Sequence, residues 1–128
     1  VIPGEIDLEN GWRLRAEFAP LNESRSEAQK GELTWQVILD ADTVSAGLTV
    51  RAWQPGERYA ALGLHGKRIK LSDLFINAKI PQEARKTWPV VVCAGQIVWV
   101  PGFPPAYPNR IAPQTRRVVR LTALQQSN

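Results

Sequence analysis

Lys and Arg carry the chemistry that this sequence offers most plainly. Sixteen of them stand among 128 residues against twelve Asp and Glu, a net charge of +4. Their placement says more than their total. Residues 1–50 hold nine acids and four bases, a net of −5, whereas residues 51–128 hold twelve bases and three acids (Glu57, Asp73 and Glu83), a net of +9. Ten of those twelve bases fall into groups. Arg51 and Arg58 flank Pro55-Gly56; Lys67, Arg68 and Lys70 follow; then come Lys79, Arg85 and Lys86, and last Arg116 and Arg117. Guanidinium and ammonium groups at this density are suited to holding phosphate, which positions a polyanion without reading its sequence. On the residues alone two readings stand: a surface that meets a polyanion, and a solvated basic face that keeps the chain dispersed.

Other chemistries find little material. The single cysteine, Cys93, sits in the apolar run Val90-Val91-Val92-Cys93-Ala94, so no intrachain disulfide forms and an inert buried thiol is expected. One Cys and one His cannot supply a structural zinc site. His65, between Leu64 and Gly66, reads as a loop residue. Asp40-Ala41-Asp42 reads as a turn, since calcium and magnesium need more oxygen ligands around a loop. Ser45 or Ser72 with His65 and Asp73 lacks a nucleophile elbow. Gly63-Leu64-His65-Gly66 is neither a P-loop nor a dinucleotide fingerprint. No catalytic residue, metal ligand or cofactor site is assigned to this chain.

The elements that must position the basic groups read mainly as strands. Trp12, Leu14, Ala16 and Phe18 alternate with Arg13, Arg15 and Glu17, and Glu9-Asn10-Gly11 before them is a hairpin signal. Residues 20–32 form a polar loop. Trp35, Val37 and Leu39 mark a second strand, and Leu48, Val50 and Ala52 a third. Leu71, Leu74 and Phe75 have the spacing of a short helix with one buried stripe, and Asp73 within it reads as a cap or an ion-pair partner. Pro81 opens a second helix through about Thr87, acidic at Glu83 and basic at Arg85 and Lys86, in line with the macrodipole. Residues 90–94 and 96–100 flank Gly95 as a buried apolar hairpin. Residues 116–124 form a last strand whose period is weakened by adjacent Val118 and Val119. Trp53, Trp88 and Trp99 are expected in the core rather than as stacking platforms. Strands outnumber the short helices, which gives an α+β class with mostly antiparallel sheet.

The motif order resembles one family. An Arg on a strand (Arg51) precedes Pro55-Gly56-Glu57-Arg58-Tyr59, then Gly66-Lys67-Arg68-Ile69-Lys70 and Leu71-Ser72-Asp73-Leu74-Phe75. Ile80-Pro81, Arg85, Pro89 and a strand pair ending in Pro101-Gly102 follow. This resembles the C-terminal domain of bacterial tRNA(Ile)-lysidine synthetase, closely over residues 48–121 and more loosely before them. Glu57 and Tyr59 stand where the family often has Asp and Phe, which retains a carboxylate and a ring. The resemblance implies a β-sandwich-like core of mostly antiparallel strands with two short helices, similar to a domain of the phenylalanyl-tRNA synthetase β-subunit. Residues 1–47 would add N-terminal strands and a polar loop to the same domain, residues 48–124 the core, and residues 125–128 a tail.

The same resemblance implies a role in recognising tRNA(Ile). The domain would hold the tRNA body while an N-terminal PP-loop domain of the same protein modifies the wobble cytidine. That half would use ATP, Mg and lysine, so the ligase chemistry would lie outside this chain. The absence of Met and the start at Val1 fit a segment of a longer protein. Expected RNA contacts are Arg51, Arg58, Lys67, Arg68, Lys70, Lys79, Arg85, Lys86, Arg116 and Arg117. Arg58 and Arg85 also have a structural reading, as pins beside Glu57 or Asp73. Expected partners are tRNA(Ile) and the catalytic domain, in the cytoplasm, without membrane or DNA. Two rivals remain: a protein-docking module that touches no RNA, and an editing-type hydrolytic domain.

Overall fold

A computed structural model describes residues 4–8, 11–19, 32–64 and 67–126. The strands are β1 (Gly4–Asp7), β2 (Trp12–Ala19), β3 (Glu32–Asp40), β4 (Thr49–Ala52), β5 (Arg58–Tyr59), β6 (Ile69–Lys70), β7 (Pro89–Cys93), β8 (Gln96–Trp99) and β9 (Val118–Gln126). The helices are α1 (Leu71–Asn77) and α2 (Gln82–Arg85). All pairings are antiparallel. One sheet runs β1-β2-β9-β3, a second runs β4-β7-β8, and β5 pairs with β6. The expected α+β class and antiparallel architecture are what the structure shows. His65, Gly66, the Glu9-Asn10 part of the first turn and most of the polar loop lie outside the described residues.

One core joins the two larger sheets. Trp12, Leu14, Leu39, Leu121 and Ala123 from the first meet Val90, Val91 and Trp99 from the second. Trp12 stacks on Trp35 at 5.3 Å, and Trp88 meets both edge-on at 5.0 and 5.6 Å. Such ring pairs add about 0.5–1.5 kcal/mol each beyond the area they bury. Phe75 of α1 packs against Trp88 and Trp53. Trp88 and Trp99 are buried, as expected, and each indole N–H donates to the turn after β8, to Pro101 O and Phe103 O, both at 3.0 Å.

Alternation predicts the β2 core face except at its end. Phe18 shares the period of Trp12, yet it is 45% exposed and lies under the Arg117 guanidinium, 4.9 Å from its ring centre. Outward charges on β1 and β2 pair across the strands, Arg13 with Asp7 at 2.7 Å and Arg15 with Glu5 at 3.0 Å. These acids of the first half are thus balanced where they stand.

The last strand begins later than its sequence suggests, at Val118, and runs two residues past Leu124, to Gln126. It sits between β2 and β3, buried on both faces, which explains why Val118 and Val119 break the alternation. The β7–β8 hairpin is as expected, fully buried along β7. Its two-residue turn, Ala94-Gly95, has φ of 52° and 80°, the left-handed pair that a primed hairpin turn requires.

Several sequence expectations need correction. The second helix is one turn, Gln82–Arg85, and ends before Thr87; Pro81 is its N-cap. Asp73 is exposed in the first turn of α1 and is not its cap, because Lys70 holds the N-cap position. Arg51, rather than Arg58, is the pin beside Glu57. Its guanidinium forms a fork with the carboxylate at 2.9 and 2.6 Å, and Glu57 also accepts from Gln54 N at 2.6 Å. These bonds close the Pro55-Gly56 turn.

Backbone strain and the Glu57 ion pair each lead to a test. Helix α1 ends in a Schellman motif, with Lys79 N donating to Ile76 O and Ile80 N to Phe75 O, which puts Lys79 at φ 59°. Lys79→Gly should therefore stabilise the chain by about 0.5–1 kcal/mol. Gly102→Ala should destabilise it by about 1–2 kcal/mol, since Gly102 has φ 93° and a methyl there would lie 3.5 Å from Trp35 Nε1. Urea midpoints read by tryptophan fluorescence give both signs. The second test concerns Glu57. The hydrogen bonds from Arg51 hold its carboxyl below the ordinary 4.5, against a smaller opposing effect of burial. A lowered folded-state value stabilises above the unfolded value and is lost as pH falls through the folded one. Glu57→Gln should cost about 0.5–1 kcal/mol at neutral pH, the Arg51 end being screened by solvent. That cost should shrink as pH drops below 4.5; a difference independent of pH would dismiss the ion pair as its source.

Candidate nucleic-acid interface

The ten expected phosphate contacts divide by what already holds them. Arg51 is occupied by Glu57 and by Ala52 O at 3.1 Å. Arg85 donates Nε to Ile80 O at 2.9 Å, and its own carbonyl accepts from Trp53 Nε1 at 2.6 Å. Arg85 thus fastens α2 to the core, but through backbone carbonyls and not, as expected, beside Glu57 or Asp73. Lys86 pairs with Glu83 at 3.2 Å on an exposed surface. Arg117 lies over Phe18, and its carbonyl accepts from Ala41 N at 2.9 Å. Lys79 follows α1, and Arg116 leads toward β9; both are exposed.

Arg58, Lys67, Arg68 and Lys70 are brought together by the β5–β6 pair. Tyr59 and Ile69 face inward and fix that pair, with Tyr59 2% exposed. Its hydroxyl donates to Pro104 O at 3.0 Å, and burial pushes its ionisation well above the ordinary range. Arg58 stands directly opposite Lys70, and both are exposed. Like charges at opposed strand positions destabilise a sheet. Lys70 is also the N-cap of α1, where a cation opposes the macrodipole and no side chain caps the helix. No carboxylate among the described residues pairs with these four cations. Local stability therefore does not explain them.

Arg58 and Arg68 also line a pocket of about 530 Å³. Its far side comes from Thr43 of the 3-10 turn Ala41–Val44 and from Ser45 and Ala46 after it, and its base from Cys93, Ala94 and Gln96 of the β7–β8 hairpin with Ile97, Val98 and Ala106. A buried polar network holds these walls in register. Asp40 caps the 3-10 turn through Asp42 N at 3.0 Å and accepts from Thr115 Oγ1 at 3.0 Å. Asn109 Nδ2 donates to Thr43 Oγ1 at 3.0 Å. The turn reading of Asp40-Ala41-Asp42 therefore holds. Beside the pocket, Arg110 lies 3.7 Å over the ring centre of Tyr107, which is 40% exposed.

Charge counting could not find Asn109, Thr43, Ser45 or Ala46. They are neutral, and Asn109 joins the other three, 66 residues from Thr43, only through the fold. Arg110 did leave a signal, an aromatic residue three positions earlier. Trp53 is half-buried, and Trp88 and Trp99 are buried, so none offers a platform for a base.

Comparison with known proteins bears on the family and the fold. Residues 48–119 match the family model described as the TilS substrate C-terminal domain. The tRNA(Ile)-lysidine synthase of Geobacillus kaustophilus is 39% identical over 103 residues, 80% of this chain and 21% of that protein. That of Symbiobacterium thermophilum is 33% identical over 124 residues, 94% of this chain and 24% of that protein. The chain thus spans about a quarter or less of these relatives' length. A solved structure described as a TILS C-terminal domain superposes with a TM-score of 0.77 at 31% identity, covering 100% of this chain and 94% of that one. With matching motif order, matching fold and a family model over more than half its length, the chain belongs to the family of TilS C-terminal domains of tRNA(Ile)-lysidine synthase.

Proposed function

We propose that this domain binds tRNA(Ile) through its phosphate backbone, chiefly by Arg58, Lys67, Arg68 and Lys70. In this reading it positions the tRNA in the cytoplasm for a PP-loop catalytic domain outside this chain. That domain would convert the wobble cytidine to lysidine with ATP, Mg and lysine. The observation that carries the reading is the Arg58–Lys70 pair, two opposed cations with no acid among the described residues to balance them. A-form RNA presents phosphate and 2′-hydroxyl groups more readily than base edges, and arginines that read shape are suited to it.

Docking on the protein's own catalytic domain is a second reading with one observation behind it. Ile6, Leu14, Leu48, Val50 and Val91 line a groove of about 400 Å³ between β1–β2 and β4, and Ile6 is 46% exposed. The groove and the cationic hairpin use different residues, so the two roles are compatible. The editing-type reading has less support: the described lining of the larger pocket includes no carboxylate or histidine to act as a base.

Filter binding of tRNA over a salt series tests the proposal. Replacing Lys67, Arg68 and Lys70 together by Ala should weaken binding and flatten the log–log salt slope by about 0.7–0.9 for each phosphate that is no longer neutralised. The melting temperature should change little, because the three residues are largely exposed. Arg51→Ala should do the reverse, lowering stability more than affinity. A triple variant with parental affinity and slope would reduce the cluster to a solvated face.

A further inference from the structure

We propose that the pocket edged by Arg58, Arg68 and Asn109 takes one unpaired nucleotide of the bound RNA. The phosphate would sit on the two guanidinium groups, with the ribose and base against Ile97, Val98 and Ala106. This inference rests on the RNA-binding reading and adds a specific subsite to it.

Four observations carry it. The volume of about 530 Å³ falls in the range of roughly 300–1,000 Å³ typical of small-molecule sites. Both arginines lack a carboxylate partner among the described residues, so their charge is available at the pocket edge. The base of the pocket, Ile97, Val98 and Ala106, is apolar, a division of labour suited to a group charged at one end and flat at the other. Asn109 is 7% exposed and commits its Nδ2 to Thr43. No donor among the described residues reaches its Oδ1, which leaves a fixed acceptor for a base amino group or a ribose hydroxyl.

Shape selects the occupant. Paired nucleotides in an A-form duplex keep their bases stacked inside, and only a splayed-out nucleotide can put a base into a concave site. The outer cations, Lys67 and Lys70, remain available to phosphates of the adjoining helix.

The test compares a blunt RNA stem-loop with the same stem-loop carrying a short single-stranded extension, by fluorescence anisotropy at fixed salt. The extension should tighten binding about tenfold, the size of one charge-assisted contact. Ala46→Trp and Ser45→Tyr place a neutral ring at the pocket from positions along its lining. Either should remove the gain while leaving blunt-stem affinity within about twofold, as neutral changes near the surface do. Circular dichroism melting controls for folding, and two variants keep the test valid if one misfolds. An excess of free nucleoside monophosphate should erase the extension's gain without displacing the blunt stem. The inference is overturned if the extension adds nothing, or if its gain survives in the folded variants. Tighter binding of the free monophosphate than of the extended RNA would also overturn it, by making the pocket a free-nucleotide site. If the blunt stem itself fails to bind, the RNA reading falls and the subsite with it. If the blunt stem binds and only the gain is missing, the subsite alone is wrong.

Discussion

Trp12, Trp35 and Trp88 meet between the two larger sheets, and the cationic hairpin depends on that contact through a short chain of packing. Trp88 leads into β7 and takes Phe75 on its other side. Phe75 fixes α1, whose N-cap is Lys70, the second residue of β6. Leu71 N then bonds Glu57 O, so the strand opposite is fixed as well. The exposed charges are thus set by apolar contacts several residues away. The seam has an internal cost: Trp12 Nε1 is buried and meets no acceptor among the described residues, worth about 1–3 kcal/mol. Ring packing and burial outweigh it.

That arrangement separates two kinds of arginine that look alike in the sequence. Arg51 and Arg85 spend their hydrogen-bonding capacity on Glu57, Ala52 and Ile80, and both stabilise turns. Arg58 and Arg68 are held by their backbone and leave their side chains uncommitted among the described residues. A fold can tolerate uncompensated charge only where rigid packing supplies the difference, and here Tyr59 and Ile69 beneath the hairpin supply it. Core-facing side chains and uncommitted cations are therefore placed on adjacent residues with opposite orientation.

The sequence disclosed the local features well. Alternation located β3, the apolar runs on either side of Gly95 located β7–β8, the Leu71-Leu74-Phe75 spacing located α1, and the motif order pointed to the family. Beyond the bounds of α2 and β9 and the cap of α1, its errors were tertiary. Phe18 continues a correct alternation but is exposed. Glu57 chose Arg51 across the turn rather than its neighbour Arg58, because ion pairing follows strand geometry and not adjacency. The pocket was invisible because Thr43, Arg58, Ile97 and Asn109 come together only when separate turns meet. Basic residues could be counted in advance; which of them had partners could not.

The placement of β9 has a consequence for how the chain is made. It is the last described element, yet it is an inner strand of the first sheet, with β2 on one side and β3 on the other. A nascent chain that has emerged only as far as residue 117 holds β2 and β3 as two unsatisfied edges, each ready to pair with another molecule. Sheet closure therefore waits for residues 118–126, and the interval before they emerge is when a ribosome-associated chaperone would matter most.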